Sequence, residues 1–281
     1  MRDIDCKQIT EAVSCLFQEA CLYLPQDVLA AIERARKSEE SPLAQDVLDR
    51  ILENTKIAFA EKIPLCQDTG TAVVFLELGQ EVHITGGDLY SAINEGVRCG
   101  YEQGYLRKSM VSQPFSARVN TKDNTPATIH TDIVPGDKFK IIAMPKGAGC
   151  ENMTRLAMLS PAQGRQGIID FVVNAVEEAG SNPCPPVIVG VGIGGTAEQT
   201  LMLAKKALLR EVGKPNAETE LAELEEHILQ RINNLGIGPM GYGGRVTALA
   251  VHVKAVPSHI ASLPVAVNLQ CHSARHKEVI L

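Results

Sequence analysis

Apolar residues recur at helical spacing through the first 60 residues of the chain. The segments EAVSCLFQEACLYL and QDVLAAIERARKSEE place them three and four positions apart, and Pro25 separates the two. A third run, LAQDVLDRILENTKIAFAEK, follows Ser41-Pro42. The pattern predicts a helical region over residues 1–60. Three cysteines in it are interpreted as small core residues: Cys6, Cys15 and Cys21.

From residue 61 onward, strand-like apolar runs alternate with helical ones. TAVVFLELG, KFKIIAMPK, PPVIVGVGI, RVTALAVHVKAV and HIASLPVAVNLQC have the composition of strands. Helical patterns cover about 88–105 and 161–180, and also TAEQTLMLAKKALLR and LAELEEHILQRINNLG, which ends at Gly236. This alternation predicts an α/β or α+β fold: one domain over 1–281, with a mixed core over 61–281.

Several segments lack any periodicity. The longest, RKSMVSQPFSARVNTKDNTPATIHTDIV, is polar, and a loop of this length in a compact domain is usually functional or an interface. Three glycine clusters also occur: GAGCEN, GVGIGG and GIGPMGYGG. They are either ordinary tight turns or backbone that lines a small polar cavity.

Composition excludes some functions. The net charge is −6, Trp is absent and aromatic residues make up 4% of the chain, all of which argue against nucleic-acid binding. No apolar run reaches 18 residues and the N-terminus has no apolar signal core, so we expect a cytoplasmic protein that does not span a membrane. In that compartment its eight cysteines are better interpreted as core residues or metal ligands than as disulfides.

Three cysteines lie beside turns at the ends of apolar runs. They are Cys66 in PLCQDTG, Cys184 in NPCPPVIVGVGIGG and Cys271 in PVAVNLQCHSAR, and none belongs to a CxxC pair. Thiolates from three distant loops could hold a cofactor at one point and leave part of it open. Their spacing fits no general zinc signature, so spacing alone does not establish a metal site.

The glycines of GVGIGG satisfy the GxGxxG pattern between a strand and a helix. A dinucleotide-binding fold should continue into a second strand that ends in an acidic residue, but a further helix follows here. Nicotinamide binding is therefore the weaker interpretation. Close approach of the backbone to a neighbour, or a tight turn, explains the glycines better, and amides at the helix N-terminus could also bind an anion.

Two polar residues are candidates for proton transfer. Asp68 follows Cys66 by two positions, where a carboxylate could serve a neighbouring metal, although Asp before Gly70 is also typical of a turn. His259 precedes an apolar run, and by itself such a histidine is more often a residue at the end of a helix or strand than a catalyst.

Taken together, the motifs resemble the alpha subunit of class I iron–sulfur fumarate hydratases. The matching segments are PLCQDTG, LRKSMV, NTKDNTPA, PKGAGCEN, CPPVIVGVGIGGT, GIGPMGYGGRVTALAV, HIASLPVAV and QCHSAR, over about residues 60–276. The resemblance implies a [4Fe–4S] cluster held by Cys66, Cys184 and Cys271, with one iron left for the substrate. It also implies reversible hydration of fumarate to (S)-malate, a step of the tricarboxylic acid cycle.

The resemblance also assigns roles to individual residues. Asp68 would transfer a proton and Gln67 would contact the substrate. Arg107 would bind a substrate carboxylate, a task that suits a guanidinium. His259 would be an active-site histidine, and the backbone at Gly149 would border the pocket, with the GIGG and GIGPMGYGG loops helping to shape it.

The resemblance favours fumarate as the substrate, with L-tartrate as the alternative, because NTKDNTPA and PKGAGCEN look like the fumarase versions of those segments and GIGGT matches fumarase more closely. The alpha subunit of L-tartrate dehydratase is similar and shares the three cysteines. Fumarases usually have Ser where this chain has Cys150, whereas tartrate dehydratases have Cys. We do not expect Cys150 to be a fourth ligand, because that would close the open iron. A non-catalytic subunit that uses the cysteines for a structural metal is a third alternative.

The resemblance further implies a partner. The chain ends at Leu281, just after QCHSAR, whereas single-chain relatives continue into a second domain with more substrate-binding residues. We therefore expect a separate beta subunit, an α2β2 assembly and a cluster that is sensitive to oxygen.

Overall fold

The helical N-terminal region is present in the computed structural model, which describes residues 2–281. A short strand β1 (Arg2–Asp5) leads into α1 (Cys6–Leu22), followed by α2 (Gln26–Ser38) and α3 (Pro42–Glu61). Pro25 lies between α1 and α2, as the sequence predicts. The side chain of Asp5 caps α1 by accepting a hydrogen bond from the backbone N–H of Lys7 (2.8 Å).

The chain divides into two compact units. The first comprises the described residues up to Leu24, together with Thr55–Ala148 and Arg275–Leu281, and the second comprises Pro25–Asn54 and Gly149–Ala274. The boundary between the units therefore does not fall at residue 60, because α1 belongs to one unit and α2 to the other. That residues 1–281 act as one domain stays a prediction.

The first unit is built on a four-stranded sheet of order β10-β5-β2-β4. Strands β2 and β4 are parallel, and β5 is antiparallel to both β2 and β10. Helices α1 and α4 pack on this sheet around buried side chains that include Phe17, Tyr101 and Phe139. The remaining elements are β2 (Thr71–Gly79), β3 (Val82–Thr85), α4 (Leu89–Gln103), β4 (Thr128–Val134), β5 (Phe139–Lys146) and β10 (Lys277–Ile280).

The second unit is built on another four-stranded sheet, of order β6-β9-β7-β8. Strand β7 is parallel to β8 and antiparallel to β9, which is antiparallel to β6. Valines of these strands pack with α6 and α8 in one core. The elements are β6 (Arg155–Leu159), α6 (Gly164–Ala179), β7 (Val187–Ile193), α7 (Ala197–Ala207), α8 (Thr219–Asn233), β8 (Ala248–Ala255) and β9 (Leu263–Gln270), and a single turn, α5 (Ala148–Glu151), comes before them.

The α/β fold and every helix expected from the sequence are confirmed. The strands that the pattern did not reveal are β4, β6 and β10, all at sheet edges, and the short pair β1–β3. An edge strand can expose much of its surface, so it needs little of the apolar pattern that identifies an interior strand. β4 lies inside the long polar segment expected to be a loop, and all seven of its residues are exposed or half-buried. Within residues 2–281, no helix combines the length and apolar character of a membrane span.

Candidate functional site

The loop between α3 and β2 carries three of the residues singled out by the sequence. Buried Leu65 anchors it by donating its backbone N–H to the carbonyl oxygen of Cys21 (2.9 Å). Cys66 is half-buried, Gln67 is exposed and Asp68 is half-buried. The loop therefore presents a thiol, an amide and a carboxylate at consecutive positions.

Asp68 is held from three directions. Its Oδ1 accepts a hydrogen bond from the N–H of Gly70 (3.0 Å), and its Oδ2 accepts one from the N–H of Ala148 (2.9 Å). The buried Arg275 donates from Nη1 to the carbonyl oxygen of Asp68. A Cβ atom at Gly147 would lie 3.2 Å from Oδ2, so this position favours glycine. Asp68 is thus both a turn residue and a rigidly oriented carboxylate.

Arg107 lies in a loop directly attached to that of Asp68. The hydroxyl of Thr69 donates to the carbonyl oxygen of Arg107 (2.8 Å), and the buried Tyr101 donates to the carbonyl oxygen of Thr69 (2.7 Å). The Arg107 side chain is exposed, and no ion pair of it is seen among residues 2–281. The first unit therefore groups Cys66, Gln67, Asp68 and Arg107 around two joined loops.

Cys184 and Cys271 lie at one edge of the sheet in the second unit. Cys184 shortly precedes β7 and Cys271 directly follows β9, and these strands are antiparallel neighbours with Ile188 opposite Gln270. The adjacent His272 contacts the carbonyl oxygen of Cys184 through Nδ1 (2.9 Å), which ties the two cysteine loops together. We call this end of the sheet the cysteine edge.

Gly149 and Cys150 belong to the cysteine edge too. A Cβ atom at Gly149 would lie 2.9 Å from the carbonyl oxygen of Asn182, and Cys150 donates its S–H to the carbonyl oxygen of Pro183 (3.4 Å). Both contacts fall on the segment just before Cys184. Gly149 therefore lies beside the Cys184 loop in the second unit, and its place at the border of a substrate pocket stays a prediction.

His259 lies at the opposite edge of the same sheet. It belongs to the loop from β8 to β9, and the carboxyl end of β8 lies beside that of β7. Its Nδ1 accepts a hydrogen bond from the N–H of Ala261 (3.1 Å), which leaves Nε2 to carry the proton of a neutral ring. We call this end the histidine edge. Within one copy of the second unit, His259 is not brought to Cys184 and Cys271.

The two remaining glycine loops separate in the same way. GIGPMGYGG joins the cysteine edge, where Met240 donates its N–H to the carbonyl oxygen of Pro185 (2.8 Å). GIGG joins the histidine edge, where Gly195 donates its N–H to the carbonyl oxygen of Pro257 (3.2 Å). The expectation that both loops shape one pocket is not met within a single second unit.

Two glycines of GVGIGG serve packing, which confirms the close-approach interpretation. A Cβ atom at Gly190 would lie 2.1 Å from the carbonyl oxygen of Ala204, and one at Gly192 would lie 2.1 Å from that of Thr200. Both carbonyls belong to α7, so the helix lies directly on the strand.

Comparison with known proteins agrees with these motifs. Residues 10–280 match the model of the family described as Fumarate hydratase (Fumerase). The chain belongs to this family. It is 44% identical over 273 residues, 95% of both chains, to a Methanocaldococcus jannaschii protein whose name provisionally makes it an L(+)-tartrate dehydratase subunit alpha. It is also 31% identical over 272 residues, 95% of this chain and 89% of the other, to a protein named L(+)-tartrate dehydratase subunit alpha from Escherichia coli UTI89.

The cysteines of this family member differ in environment. None of the eight is in a disulfide. Burial raises the pKa of Cys21 to about 12, so this thiol stays protonated and belongs to the core, as expected. Cys6 is also buried. The core interpretation is wrong for Cys15, which is exposed on α1 and donates to Glu19 (3.4 Å).

The donor chemistry of the cysteine edge fits an iron–sulfur group. Two thiols from separate loops lie there, and both are outside disulfides. Cys271 is 8% exposed and Cys184 is half-buried, which is the partial shielding such a cofactor needs. Within residues 2–281, no group of three or more His, Cys, Asp or Glu side chains is arranged as a metal site.

Proposed function

We propose that this chain is the alpha subunit of a [4Fe–4S] hydro-lyase that interconverts fumarate and (S)-malate. The observation that carries the proposal is the cysteine edge, where Cys184 and Cys271 meet beside Gly149 in a chain of the fumarate hydratase family. Cys66 is proposed as the third ligand because PLCQDTG matches the family motif. Three thiolates leave one iron of the cluster without a protein ligand.

When bound, such a cluster supplies a Lewis acid that can hold a hydroxyl and a carboxylate of the substrate. Hydration adds a hydroxyl to one carbon of the fumarate double bond and a proton to the other. We assign the transfer of this proton to Asp68, which donates it to the carbon in hydration and removes it in dehydration. Its carboxylate is fixed by two backbone N–H groups and so keeps its orientation during transfer.

Binding of the dicarboxylate is assigned to exposed polar groups. Arg107 presents a guanidinium that can pair with a carboxylate through two hydrogen bonds. Gln67 is exposed next to Cys66 and can hydrogen-bond the substrate. The backbone of Gly149 can approach the ligand closely because it has no side chain. His259 is assigned a catalytic role instead, as a proton donor through Nε2.

L-Tartrate is a second candidate substrate. Relatives that are 44% and 31% identical have names that refer to L(+)-tartrate dehydratase. Cys150 also agrees with that alternative, although its S–H donates to a backbone carbonyl and serves local structure. Tartrate carries one more hydroxyl than malate, so a single polar contact in the pocket could decide between them.

A beta subunit is proposed to complete the enzyme, in an α2β2 assembly. The support is that the relatives are named alpha subunits. A cluster with an open iron and reduced thiols needs a reducing compartment, so we place the enzyme in the cytoplasm. A non-catalytic subunit with a structural metal is the remaining alternative.

The test is co-expression with the beta-type chain, anaerobic reconstitution with iron and sulfide, and assay on malate and on L-tartrate. We expect a cluster spectrum that changes when malate is added, and activity on malate that is lost in air. If only tartrate were dehydrated, L-tartrate would replace malate as the proposed substrate and the proposed mechanism would stand. A stable metal without activity on either substrate would favour the non-catalytic alternative, and absence of a cluster would refute the proposal.

A further inference from the structure

We propose that the His259 that acts at a given cluster comes from a second copy of this chain. The inference rests on the proposed function, because it assumes that His259 and the cysteine edge serve the same reaction. A symmetric pair of copies would then contain two sites, each with cysteines from one copy and the histidine from the other.

The first argument is distance within one sheet. The register of β7 with β9 runs from Ile188 opposite Gln270 to Ile193 opposite Val265, six consecutive positions. At about 3.3 Å per residue these alone span roughly 17 Å. Cys271 lies beyond one end of this stretch and His259 beyond the other. No side chain bridges such a gap.

The second argument is that the histidine loop is fixed. Ser262 donates its N–H to the carbonyl oxygen of His259 (2.9 Å), and the Ser258 hydroxyl donates to the carbonyl oxygen of Ser262 (3.1 Å). The loop is also joined to the glycine turn through the hydrogen bond from Gly195 to Pro257 (3.2 Å). A loop closed by these bonds cannot swing to the other end of its own sheet.

The third argument is that the histidine loop is exposed on the surface of this unit. His259 is exposed, and the neighbouring Ile260 is 92% exposed. An apolar side chain beside a polar group suits a surface that is covered by protein, since interfaces have an apolar centre with polar groups around it. We take the cysteine edge of a second copy as the occupant, because the proposed reaction requires His259 beside Cys184 and Cys271. A two-fold axis makes the contact occur twice, which agrees with two alpha chains in the proposed assembly.

The first test is independent of activity. The variant His259→Cys is made in a Cys15→Ser/Cys99→Ser background, which removes two other accessible thiols. The full chain is co-expressed with its beta partner and is treated with a mild thiol oxidant before the cluster is reconstituted. We expect a species of twice the chain mass, with mass spectrometry locating the link between position 259 and Cys184 or Cys271. Lys254→Cys, exposed at the end of β8, is the matched control and should not form that link. A link within one chain, or none, would overturn the proposal.

The second test is complementation between two inactive variants. His259→Ala and Cys271→Ser chains are co-expressed with the beta subunit. Random pairing should restore about a quarter of wild-type activity, because half of the dimers are hybrids and each hybrid has one intact site. Cys184→Ser mixed with Cys271→Ser is the control and should restore nothing, since both residues serve the same site.

The outcomes separate the two proposals. An active wild-type enzyme without complementation would refute the inference and leave the proposed function standing. An inactive wild-type assembly would refute the function, while the cross-link would still show whether the two edges of different copies meet. A histidine loop that cross-links only to the beta chain would refute the second copy as its occupant.

Discussion

The two edges of the second sheet differ in how their backbone is built. At the cysteine edge, positive φ angles are found at glycines of GIGPMGYGG and also at two non-glycine residues, Cys184 (φ 55°) and Met240 (φ 52°). At the histidine edge, the described residues with positive φ angles are both glycines, Gly194 (φ 85°) and Gly195 (φ 74°). A left-handed cysteine costs on the order of 1–3 kcal/mol and persists only where the surroundings impose it. That cost is consistent with a thiol whose position matters for function.

The two edges also differ in the side chains that they present. The cysteine edge has thiols, close backbone and a shielded position, whereas the histidine edge has an exposed donor on a closed loop. A sheet of seven- and eight-residue strands keeps them apart. Under the proposed function each edge holds part of the site, and the predictions below test the two parts separately.

The largest effect is expected at the cysteine edge. Cys184→Ser or Cys271→Ser should remove the cluster and lower kcat by about 10³-fold or more, because loss of a Lewis acid costs several kcal/mol of transition-state stabilisation. Iron and sulfide content after anaerobic reconstitution, with the visible spectrum, is the measurement. Cys150→Ser is the matched control and should keep the cluster. Equal loss of iron in all three variants would mean that the cysteines are not distinct in function.

At the histidine edge, the effect should fall on activity and not on the cluster. His259→Ala should lower kcat by about 10²-fold or more, the usual contribution of a positioned proton donor. Iron content should equal that of the wild type, because His259 is not one of the proposed cluster ligands. Steady-state kinetics on malate with an iron determination checks both. A variant with normal kcat would remove His259 from the site.

The sequence could predict the chemistry of each edge but not which edge a motif would join. Strand-ending cysteines, the glycine runs and the family resemblance were all visible in the residues. The antiparallel pairing of β7 and β9 was not, because strand direction and neighbours depend on contacts between distant segments. That pairing brings Cys184 and Cys271 to one edge and sends His259 to the other.

Contacts between distant segments also decide the role of Asp68 in the first unit. The sequence indicated that Asp68 is either a turn residue or a proton-transfer group, and the contacts show that its fixed turn orients the carboxylate. The partner that holds its carbonyl, Arg275, is about 200 positions away and carries no local signal. The motif QCHSAR did include this arginine, so the resemblance contained a residue whose task only the structure reveals.

A smaller effect, on the stability of the fold, is expected from β8, a strand that runs from the cysteine edge to the histidine edge. Burial, with a lesser contribution from the cation of Arg210, lowers the pKa of His252 from 6.5 to about 4. Below pH 6.5 the unfolded chain takes up a proton that the folded chain does not, so the free energy of unfolding should fall until about pH 4. This group should contribute a loss of up to about 3 kcal/mol over that range.

Urea unfolding between pH 4 and pH 7 measures this loss. His252→Gln removes the titrating group and should flatten that part of the pH dependence. His227→Gln, at an exposed position of α8, is the control and should leave it unchanged. A wild-type profile that matches the His252→Gln profile would contradict the assignment.

The smallest effect concerns the glycines that lead to the histidine edge. Gly190→Ala should destabilise the protein by about 1–3 kcal/mol, because its Cβ would meet the carbonyl oxygen of Ala204 in α7 and the helix must move away. Gly136→Ala, in the first unit, meets no atom within 4 Å and has φ 96°, so it should cost only about 1 kcal/mol of backbone strain. Thermal unfolding of both variants compares the cost of steric crowding at Gly190 with the cost of backbone strain at Gly136.

NADH binding tests the other interpretation of GVGIGG. If Gly190→Ala were as stable as the wild type, and if NADH bound to the wild type and not to the variant, GVGIGG would be a nucleotide site. Packing of α7 on β7 already explains why two of its glycines are needed, so we expect no NADH binding to either protein.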